Sequence, residues 1–175
     1  DYFPCSANNE PLFSKPKGNE LWVLLAEKAW AKLYNSYVAC EDGFMDEAME
    51  YLLGCPALRF ITKDVEEDEI WANLSEAYQK NYVICAATRK DLSEEQTGLV
   101  VSHAYTIISI HEVNNYRLIK LRNPWGKFEW KGDFSDDSPL WTEALKAEVG
   151  SQNADDGTFF MAVKDFKQYF QFYSI

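Results

Sequence analysis

Two histidines are the only imidazole bases in this chain, and one of them stands where it could do chemistry. His103 opens a long apolar segment rich in β-branched residues, so its ring can face a cleft at the start of a strand. His111 lies near the polar pair Asn114-Asn115 and is interpreted as a solvated turn residue. A lone histidine on an apolar strand is more often structural. His103 therefore needs a partner before it indicates catalysis, because a base is useful only when a third group orients it.

An asparagine is the candidate partner. Asn123 ends the next predicted strand, and Pro124, Trp125 and Gly126 follow it. Its side-chain oxygen can accept the imidazole N–H and fix the ring tautomer. Trp125 can cover that bond and keep water away, which strengthens it. The alternative is a strand-ending turn followed by a core tryptophan, and the residues alone leave both interpretations open.

The geometry of the predicted hairpin sets a condition on this pair. Asn114-Asn115 predicts a two-residue turn between two antiparallel strands. In an unbroken ladder from such a turn, Asn123 lies opposite Thr106, and its side chain points away from the face of His103. A hydrogen bond between the two side chains requires an odd-length turn, a one-residue bulge, or departure of Asn123 from the ladder.

The remaining sequence predicts helices and strands in mixed order. Apolar spacing predicts a mostly buried helix from Asn19 to about Tyr37 and an amphipathic helix over 66–81, with Tyr78 on its buried side. Further helices are predicted over 45–53, 139–149 and 165–170, strands over 58–61, 82–88, 99–113, 116–123 and 158–163, and loops over 1–18, 89–98 and 130–139. This pattern predicts an α+β fold whose second half forms a mostly antiparallel sheet.

Composition excludes several classes of protein. The net charge of −11 disfavours nucleic acid and anionic membranes as partners. Four cysteines without a CxxC pair, with only two histidines, make a zinc site improbable and favour free thiols in a reducing, cytoplasmic compartment. No apolar run reaches the length of a transmembrane segment, and no signal peptide is recognisable.

Several segments resemble one family. SHAYTIISIHEV (102–113) and YRLIKLRNPWGKFEWKG (116–132) resemble the protease domain of calpains, which are papain-like cysteine proteases. NELWVLLAEKAWAKLYNSY (19–37) resembles the helix that closes the first subdomain of that domain, and DDGTFFMAVKDF (155–166) resembles its final strand and helix. The resemblance covers nearly the whole chain, in the order of the family.

The resemblance implies a papain-like fold with a C-terminal antiparallel β-sheet lobe flanked by helices. Residues 1–53 would end the first subdomain, as a loop and a buried helix, and residues 54–175 would form the second. His103 matches the catalytic histidine, Asn123 the asparagine that orients it, and Trp125 the tryptophan that shields both. No cysteine of this chain lies in the Gln…Gly-x-Cys-Trp context of the family's nucleophile.

Two departures from the family pattern stand near these residues. Ser102 occupies the position before the histidine, where the family usually has glycine. The family also carries a calcium site in this subdomain. Its side-chain ligands match Glu129, Asp136 and Asp156, Ala154 would offer a carbonyl, and Thr158 stands where an acidic or amide residue is common. The resemblance thus implies a weak calcium site, and the alternative is a solvated acidic loop.

The resemblance implies a fragment of a calcium-regulated intracellular cysteine endopeptidase that carries the histidine and asparagine without the nucleophile. Its partners would be protein or peptide substrates and the missing N-terminal part of the protease domain. The alternative is a non-catalytic scaffold or calcium-binding interaction module of the same family. The residue at the nucleophile position upstream separates these two expectations.

Overall fold

The computed structural model describes residues 2–16 and 18–175, which form two compact units that divide between residues 44 and 45. The first unit contains α1 (Trp22–Leu33) and a 3₁₀ turn (Val38–Cys40). The predicted loop over 1–18 falls in part on residues 1 and 17, which lie outside the described residues. Its described residues form no helix, and a single bridge joins Cys5 to Pro11.

Helix α1 is shorter and more exposed than the sequence predicts. Leu21, not Asn19, stands at its N-terminal cap, and Asn35 adopts a positive φ of 70° just after its end. Only two α1 residues are buried, Leu24 and Ala31, so the prediction of a buried helix is wrong for this structure. A unit this small has too few residues to cover every side of a helix.

The second unit contains the remaining elements in chain order. These are α2 (Met45–Leu53), β1 (Arg59–Ile61), a 3₁₀ turn (Thr62–Asp64), α3 (Glu67–Gln79), β2 (Cys85–Thr88), α4 (Glu94–Thr97), β3 (Ala104–Val113), β4 (Tyr116–Arg122), α5 (Glu143–Val149), β5 (Thr158–Ala162), α6 (Val163–Tyr169) and β6 (Phe170–Ser174). No helix of the described residues is both long enough and apolar enough to span a bilayer.

One helix and one strand of this unit were not predicted. Helix α4 lies in the predicted loop over 89–98, where Ser93 caps it by accepting from the Gln96 amide and Gly98 ends it in the left-handed region. Strand β6 follows α6 at the C-terminal end of the chain. It pairs with β1 on one side and β2 on the other, so it is an internal strand of the sheet.

The six strands form one sheet in the order β1-β6-β2-β3-β4-β5, and all neighbours are antiparallel. This confirms the predicted α+β class with an antiparallel sheet and flanking helices. Helix α2 belongs to the second compact unit, so the division of the chain falls at 44/45, before the predicted 53/54. The assignment of the two parts to protease subdomains stays a prediction.

Both faces of the sheet are covered where β4 and β5 run together. On one face, Leu121 and Phe159 pack with Leu74 of α3 and Phe166 of α6. On the other face, side chains of β4 and β5 that point the opposite way pack with α5 and the loop before it. This second cluster includes Leu118, Phe134, Leu145, Val149 and Phe160. Each fully buried side chain of this size contributes about 1.5–3 kcal/mol. Tyr78 of α3 is an exception to its predicted burial, since it is 42% exposed.

Candidate active site

The β3–β4 hairpin carries both candidate catalytic side chains, and its turn is the predicted one. Asn114 and Asn115 both have positive φ, 48° and 65°, and Val113 pairs with Tyr116 across them. Positive φ at both central residues is the geometry of a two-residue type I′ turn, which asparagine tolerates well. The condition derived from the sequence therefore applies, since an unbroken ladder would place the two side chains on opposite faces.

A one-residue bulge in β3 meets that condition. Ser109 pairs with Lys120 and Ile107 pairs with Leu121, so Ile108 has no partner in β4. The extra residue reverses the facing of every β3 side chain on its N-terminal side. The ladder continues to Thr106 opposite Arg122, and extending it by one step sets Tyr105 opposite Asn123.

The bulge brings His103 and Asn123 to the same face. The imidazole Nε2 of His103 lies 2.9 Å from Oδ1 of Asn123, a hydrogen-bond distance. Because Oδ1 only accepts, Nε2 must carry the proton in this pair. Nδ1 has no hydrogen-bond partner among the described residues, and the ring is only partly buried. This leaves Nδ1 able to exchange a proton with another group.

Asn123 is fully buried and held from several sides. Its Nδ2 donates to the carbonyls of Lys127 and Phe128, at 2.6 and 3.3 Å, and its Oδ1 also accepts from the Trp125 amide at 3.0 Å. Its own amide donates to the carbonyl of Gly157 at 2.8 Å. The loop after β4 thus surrounds the Asn123 side chain, and these hydrogen bonds hold the side-chain amide in one orientation.

Trp125 contacts the histidine but only partly shields it. The centroids of the Trp125 and His103 rings are 4.3 Å apart at an interplanar angle of 45°. Trp125 nevertheless remains 56% exposed. The predicted contact is present, while exclusion of water from the His103–Asn123 bond is incomplete in this chain.

Ser102 adopts a backbone conformation that favours glycine. Its φ is +48°, in the left-handed region that costs an L-residue about 1–2 kcal/mol and costs glycine almost nothing. The serine therefore introduces backbone strain directly before His103. Its side chain is exposed.

His111 is not the solvated turn residue that the sequence indicates. It lies in β3, partly buried, with Nε2 2.9 Å from the Ser109 hydroxyl and its ring 5.8 Å from that of Phe160. Burial lowers its pKa, and the nearby Lys120 ammonium lowers it further. Among the described residues its ring has no hydrogen bond to a carboxylate or amide that would orient it as a base.

The acidic residues implied as calcium ligands hold backbone amides instead. Glu129 Oε1 accepts from the amides of Asp156 and Gly157, at 3.1 and 2.7 Å. Asp136 Oδ2 accepts from the Ala154 amide at 3.1 Å. Burial raises the pKa of Glu129, and the charges of Asp136 and Asp155 raise it further. Two loops distant in sequence therefore meet here, and each carboxylate keeps one oxygen without a hydrogen bond to the described residues.

The same loops show how well a cation would fit. Burial, and then repulsion from Asp137 and Asp156, raise the pKa of Asp136. Hard carboxylate oxygens suit calcium, and Asp156 Oδ1 is engaged only by the Thr158 amide at 2.8 Å. Yet in residues 2–16 and 18–175 no three acidic, histidine or cysteine side chains are close enough together to hold a metal ion. The donor chemistry fits a cation, and the present spacing of the donors does not.

Thr88 is a residue of this site that the sequence reasoning missed. It is the last residue of β2 and is 1% exposed. Its hydroxyl accepts from the amide of His103 at 3.0 Å, and its amide donates to the carbonyl of His103 at the same distance. A single threonine 15 residues before the histidine carries no sequence signal that would select it.

None of the four cysteines is hydrogen-bonded to His103 or Asn123 among the described residues. Cys5 and Cys55 are exposed, and Cys40 and Cys85 are partly buried, all as free thiols. Cys85, on β2, pairs in the ladder with Thr106, and burial raises the pKa of its thiol. A raised pKa disfavours the thiolate, which is the nucleophilic form.

Comparison with known proteins shows which family this chain is similar to. The model of the calpain family of cysteine proteases matches residues 1–175. The calpain-type cysteine protease DEK1 of Arabidopsis thaliana is 33% identical over 182 aligned residues, which cover 98% of this chain and 8% of DEK1. Calpain-9 of Mus musculus is 39% identical over 164 residues, which cover 87% of this chain and 24% of that protein.

Calpain-13 of Rattus norvegicus is 34% identical over 181 residues, 97% of this chain and 27% of that protein. The chain therefore spans only 8–27% of the length of these relatives. A match to the family model over every residue, together with relatives above 30% identity over nearly the whole chain, makes the assignment plain. This chain belongs to the calpain family of cysteine proteases.

Proposed function

We propose that this chain supplies the base and its orienting amide to a cysteine endopeptidase that cleaves proteins or peptides. One observation carries the proposal: Nε2 of His103 is hydrogen-bonded to the buried Asn123, and Nδ1 is left without a partner among the described residues. A histidine held in this way can exchange a proton with a thiol through Nδ1.

His103 has two roles in such a reaction. It accepts the thiol proton at Nδ1, which gives a thiolate beside an imidazolium. The thiolate forms a bond to the substrate carbonyl carbon, the C–N bond breaks, and the imidazolium gives its proton to the leaving amine. His103 then takes a proton from a water molecule whose oxygen bonds to the thioester carbon, the C–S bond breaks, and His103 returns the proton to the thiolate. Asn123 accepts from Nε2–H throughout and keeps the ring in place.

The thiol itself comes from a part of the protein outside residues 1–175. No cysteine here has the sequence context of the family's nucleophile, and the one cysteine beside the hairpin, Cys85, has a raised pKa. The remainder of the protease domain, which would carry the thiol, is thus a partner of this chain.

The exposed side of α1 is the surface that we assign to this partner. Leu21, Trp22, Leu25 and Leu33 follow helical spacing and are each more than half exposed, between 53% and 66%. Burying one such side chain is worth about 1.5–3 kcal/mol. An apolar stripe of this size favours a packed partner over water.

We also propose that calcium binds weakly between the loop that holds Glu129 and Asp136 and the turn that holds Asp156. Burial raises the pKa of the half-buried Glu129 and Asp136, and the charges of Asp155 and Asp156 from the opposite turn raise it further; a divalent cation would relieve that repulsion. Two features limit the affinity. Thr158 adds no carboxylate, and the carboxylates must leave or share their backbone bonds to draw closer.

The four free thiols are consistent with a cytoplasmic location, since thiols stay reduced there. That location stays a proposal.

The experiment uses the protein that contains this chain, assayed on a peptide substrate. His103→Ala should lower kcat at least about 100-fold, the usual contribution of a positioned acid–base group. His111→Ala, the only other histidine, is the matched control and should leave kcat unchanged. If the protein that contains this chain keeps full activity with His103→Ala, the assignment of His103 as the base is wrong. If the parent protein binds peptides without cleaving them, the scaffold alternative is correct.

A further inference from the structure

We infer that Thr88 is a positioning residue, whose hydroxyl sets the place of the His103 imidazole. This inference rests on the proposed function. Thr88 does not touch the imidazole. It holds the backbone on both sides of the strained residue Ser102, and through that backbone it sets where the ring stands relative to Asn123.

The hydroxyl of Thr88 bridges two points of one short segment. It donates to the carbonyl of Val100 at 2.6 Å and accepts from the amide of His103 at 3.0 Å. Thr88 also donates its own amide to the carbonyl of His103 at 3.0 Å. One buried residue therefore satisfies both backbone groups of the histidine and one of Val100.

The rest of segment 100–103 is held by two side chains. The Val100 amide donates to the hydroxyl of Tyr105 at 2.9 Å, and the Val101 amide donates to the Glu94 carboxylate at 2.8 Å. Burial raises the pKa of Tyr105 to about 12, so its hydroxyl stays neutral. Both ends of the segment are thus fixed, and the Thr88 hydroxyl hydrogen-bonds to both of them.

This bridge matters because the residue between its ends is strained. Ser102, at φ +48°, stays in the left-handed region only if the surrounding contacts hold it there. Loss of the bridge frees the segment to relax toward negative φ. Because His103 follows directly, the relaxation swings its Cα–Cβ bond and draws Nε2 away from Asn123.

The sheet cannot replace the hydroxyl. His103 lies one residue before the start of β3, and β2 ends at Thr88, with an irregular step between Ala87 and Thr88 where it pairs with β6. The His103 amide thus lies beyond the regular ladder and takes a side-chain acceptor instead. Valine has the shape of threonine without that acceptor or donor, and serine keeps both.

The experiment measures kcat and KM for peptide cleavage by the protein that contains this chain. Thr88→Val should lower kcat roughly 100-fold, the order of effect of a 1 Å misplacement, with KM nearly unchanged. Thr88→Ser should restore most of kcat. The matched control is Thr62→Val, because Thr62 is equally buried, at 2% exposed, and its hydroxyl donates to carbonyls of β6 and not to segment 100–103.

The outcomes separate positioning from general stability. A fall in kcat for Thr88→Val alone supports the inference, whereas equal falls for Thr88→Val and Thr62→Val overturn it. If Thr88→Val does not fold, Thr88→Cys replaces it, since a thiol is a weak donor and acceptor. An intermediate kcat for Thr88→Cys supports the inference, and an unchanged kcat overturns it.

A second measurement keeps this inference distinct from the proposed function. The proton on His103 Nε2 is observed by NMR in the 175-residue chain, where no turnover is needed. The positioning role is supported if this proton exchanges slowly with water in the unsubstituted chain, in Thr88→Ser and in Thr62→Val, but rapidly in Thr88→Val. Slow exchange in Thr88→Val overturns it. A parent protein without peptidase activity would overturn the proposed function and leave this result standing.

Discussion

Nε2 of His103 and Oδ1 of Asn123 lie 2.9 Å apart, although a regular two-residue hairpin would turn them to opposite faces. The bulge at Ile108 is what brings them together. Its position follows from the packing of β3. Tyr105 and Ile107 are buried with α3 and α6, and Val113 is buried on the other face, yet all three have odd numbers. Strict alternation would bury them on one face, so one extra residue between 107 and 113 is required.

Replacement of Asn123 should weaken both the site and the fold. Asn123→Ala removes the acceptor of His103 and leaves buried partners of the amide unpaired, at about 1–3 kcal/mol for such a group. We expect lower unfolding free energy by urea titration of the chain, and lower kcat in the protein that contains it. Asn73→Ala, which loses a single bond to the Tyr173 hydroxyl, should cost about 1 kcal/mol. Equal losses of unfolding free energy and of kcat in Asn123→Ala and Asn73→Ala would contradict the role of Asn123 in the site.

Glycine at position 102 should stabilise the chain. Ser102→Gly removes about 1–2 kcal/mol of left-handed strain and costs about 0.5–1 kcal/mol of backbone entropy in the unfolded state. The expected net gain is therefore roughly 0.5 kcal/mol, seen as a higher urea midpoint. Ser174→Gly is the control, in strand β6, where its hydroxyl has no partner among the described residues. That variant should be destabilised, and a loss of stability in both would argue against strain at Ser102.

Calcium should raise the melting temperature of the chain modestly. We expect a dissociation constant near or weaker than about 10⁻⁴ M, at the weak end for protein calcium sites. At about 100 times that constant, binding stabilises the fold by about 2.7 kcal/mol. Asp156→Ala should abolish the shift in melting temperature. Asp155→Ala, which removes an equal charge from the adjacent residue, should retain most of the shift. No shift in the parent chain, or an equal shift in Asp156→Ala, would remove the proposed site.

Neutralising Asp136 should stabilise the chain in a pH-dependent way when calcium is absent. Burial and neighbouring charges raise the pKa of this carboxyl in the folded state, so the folded state binds its proton more tightly than the unfolded state. Stability from this group is therefore lost as pH rises through the folded pKa and regained as pH falls. Asp136→Asn should be more stable than the parent chain at pH 7, and the difference should shrink toward pH 4. A difference that grows on acidification would contradict this assignment.

The 175-residue chain alone should not cleave peptides. It has the base and the amide, but none of its cysteines has the sequence context of the family's nucleophile, so we expect no thiolate to form the first bond to the substrate carbon. The measurement is turnover of a fluorogenic peptide, with and without a cysteine alkylator. Turnover that the alkylator abolishes would show that a cysteine of this chain acts as nucleophile.

Much of the site could be predicted from the sequence because its signals are local or carried by the family resemblance. The Asn114-Asn115 turn depends on two residues that tolerate positive φ, and α3 depends on the spacing of its own apolar residues. His103 and Asn123 were candidates by their place at the ends of two adjoining strands, and the family resemblance singled them out. The structure brings this pair together as expected.

What only the tertiary structure decided depends on contacts between distant segments. Strand β6 ends the chain after a short helix, and only its pairing with both β1 and β2 makes it an internal strand. Helix α1 is rich in apolar residues, but burial depends on what surrounds a helix, which its own sequence does not specify. Thr88 acts on a segment 12–15 residues away. The bulge at Ile108 likewise has no local signal, because it arises from the burial of two parts of one strand on opposite faces of the sheet.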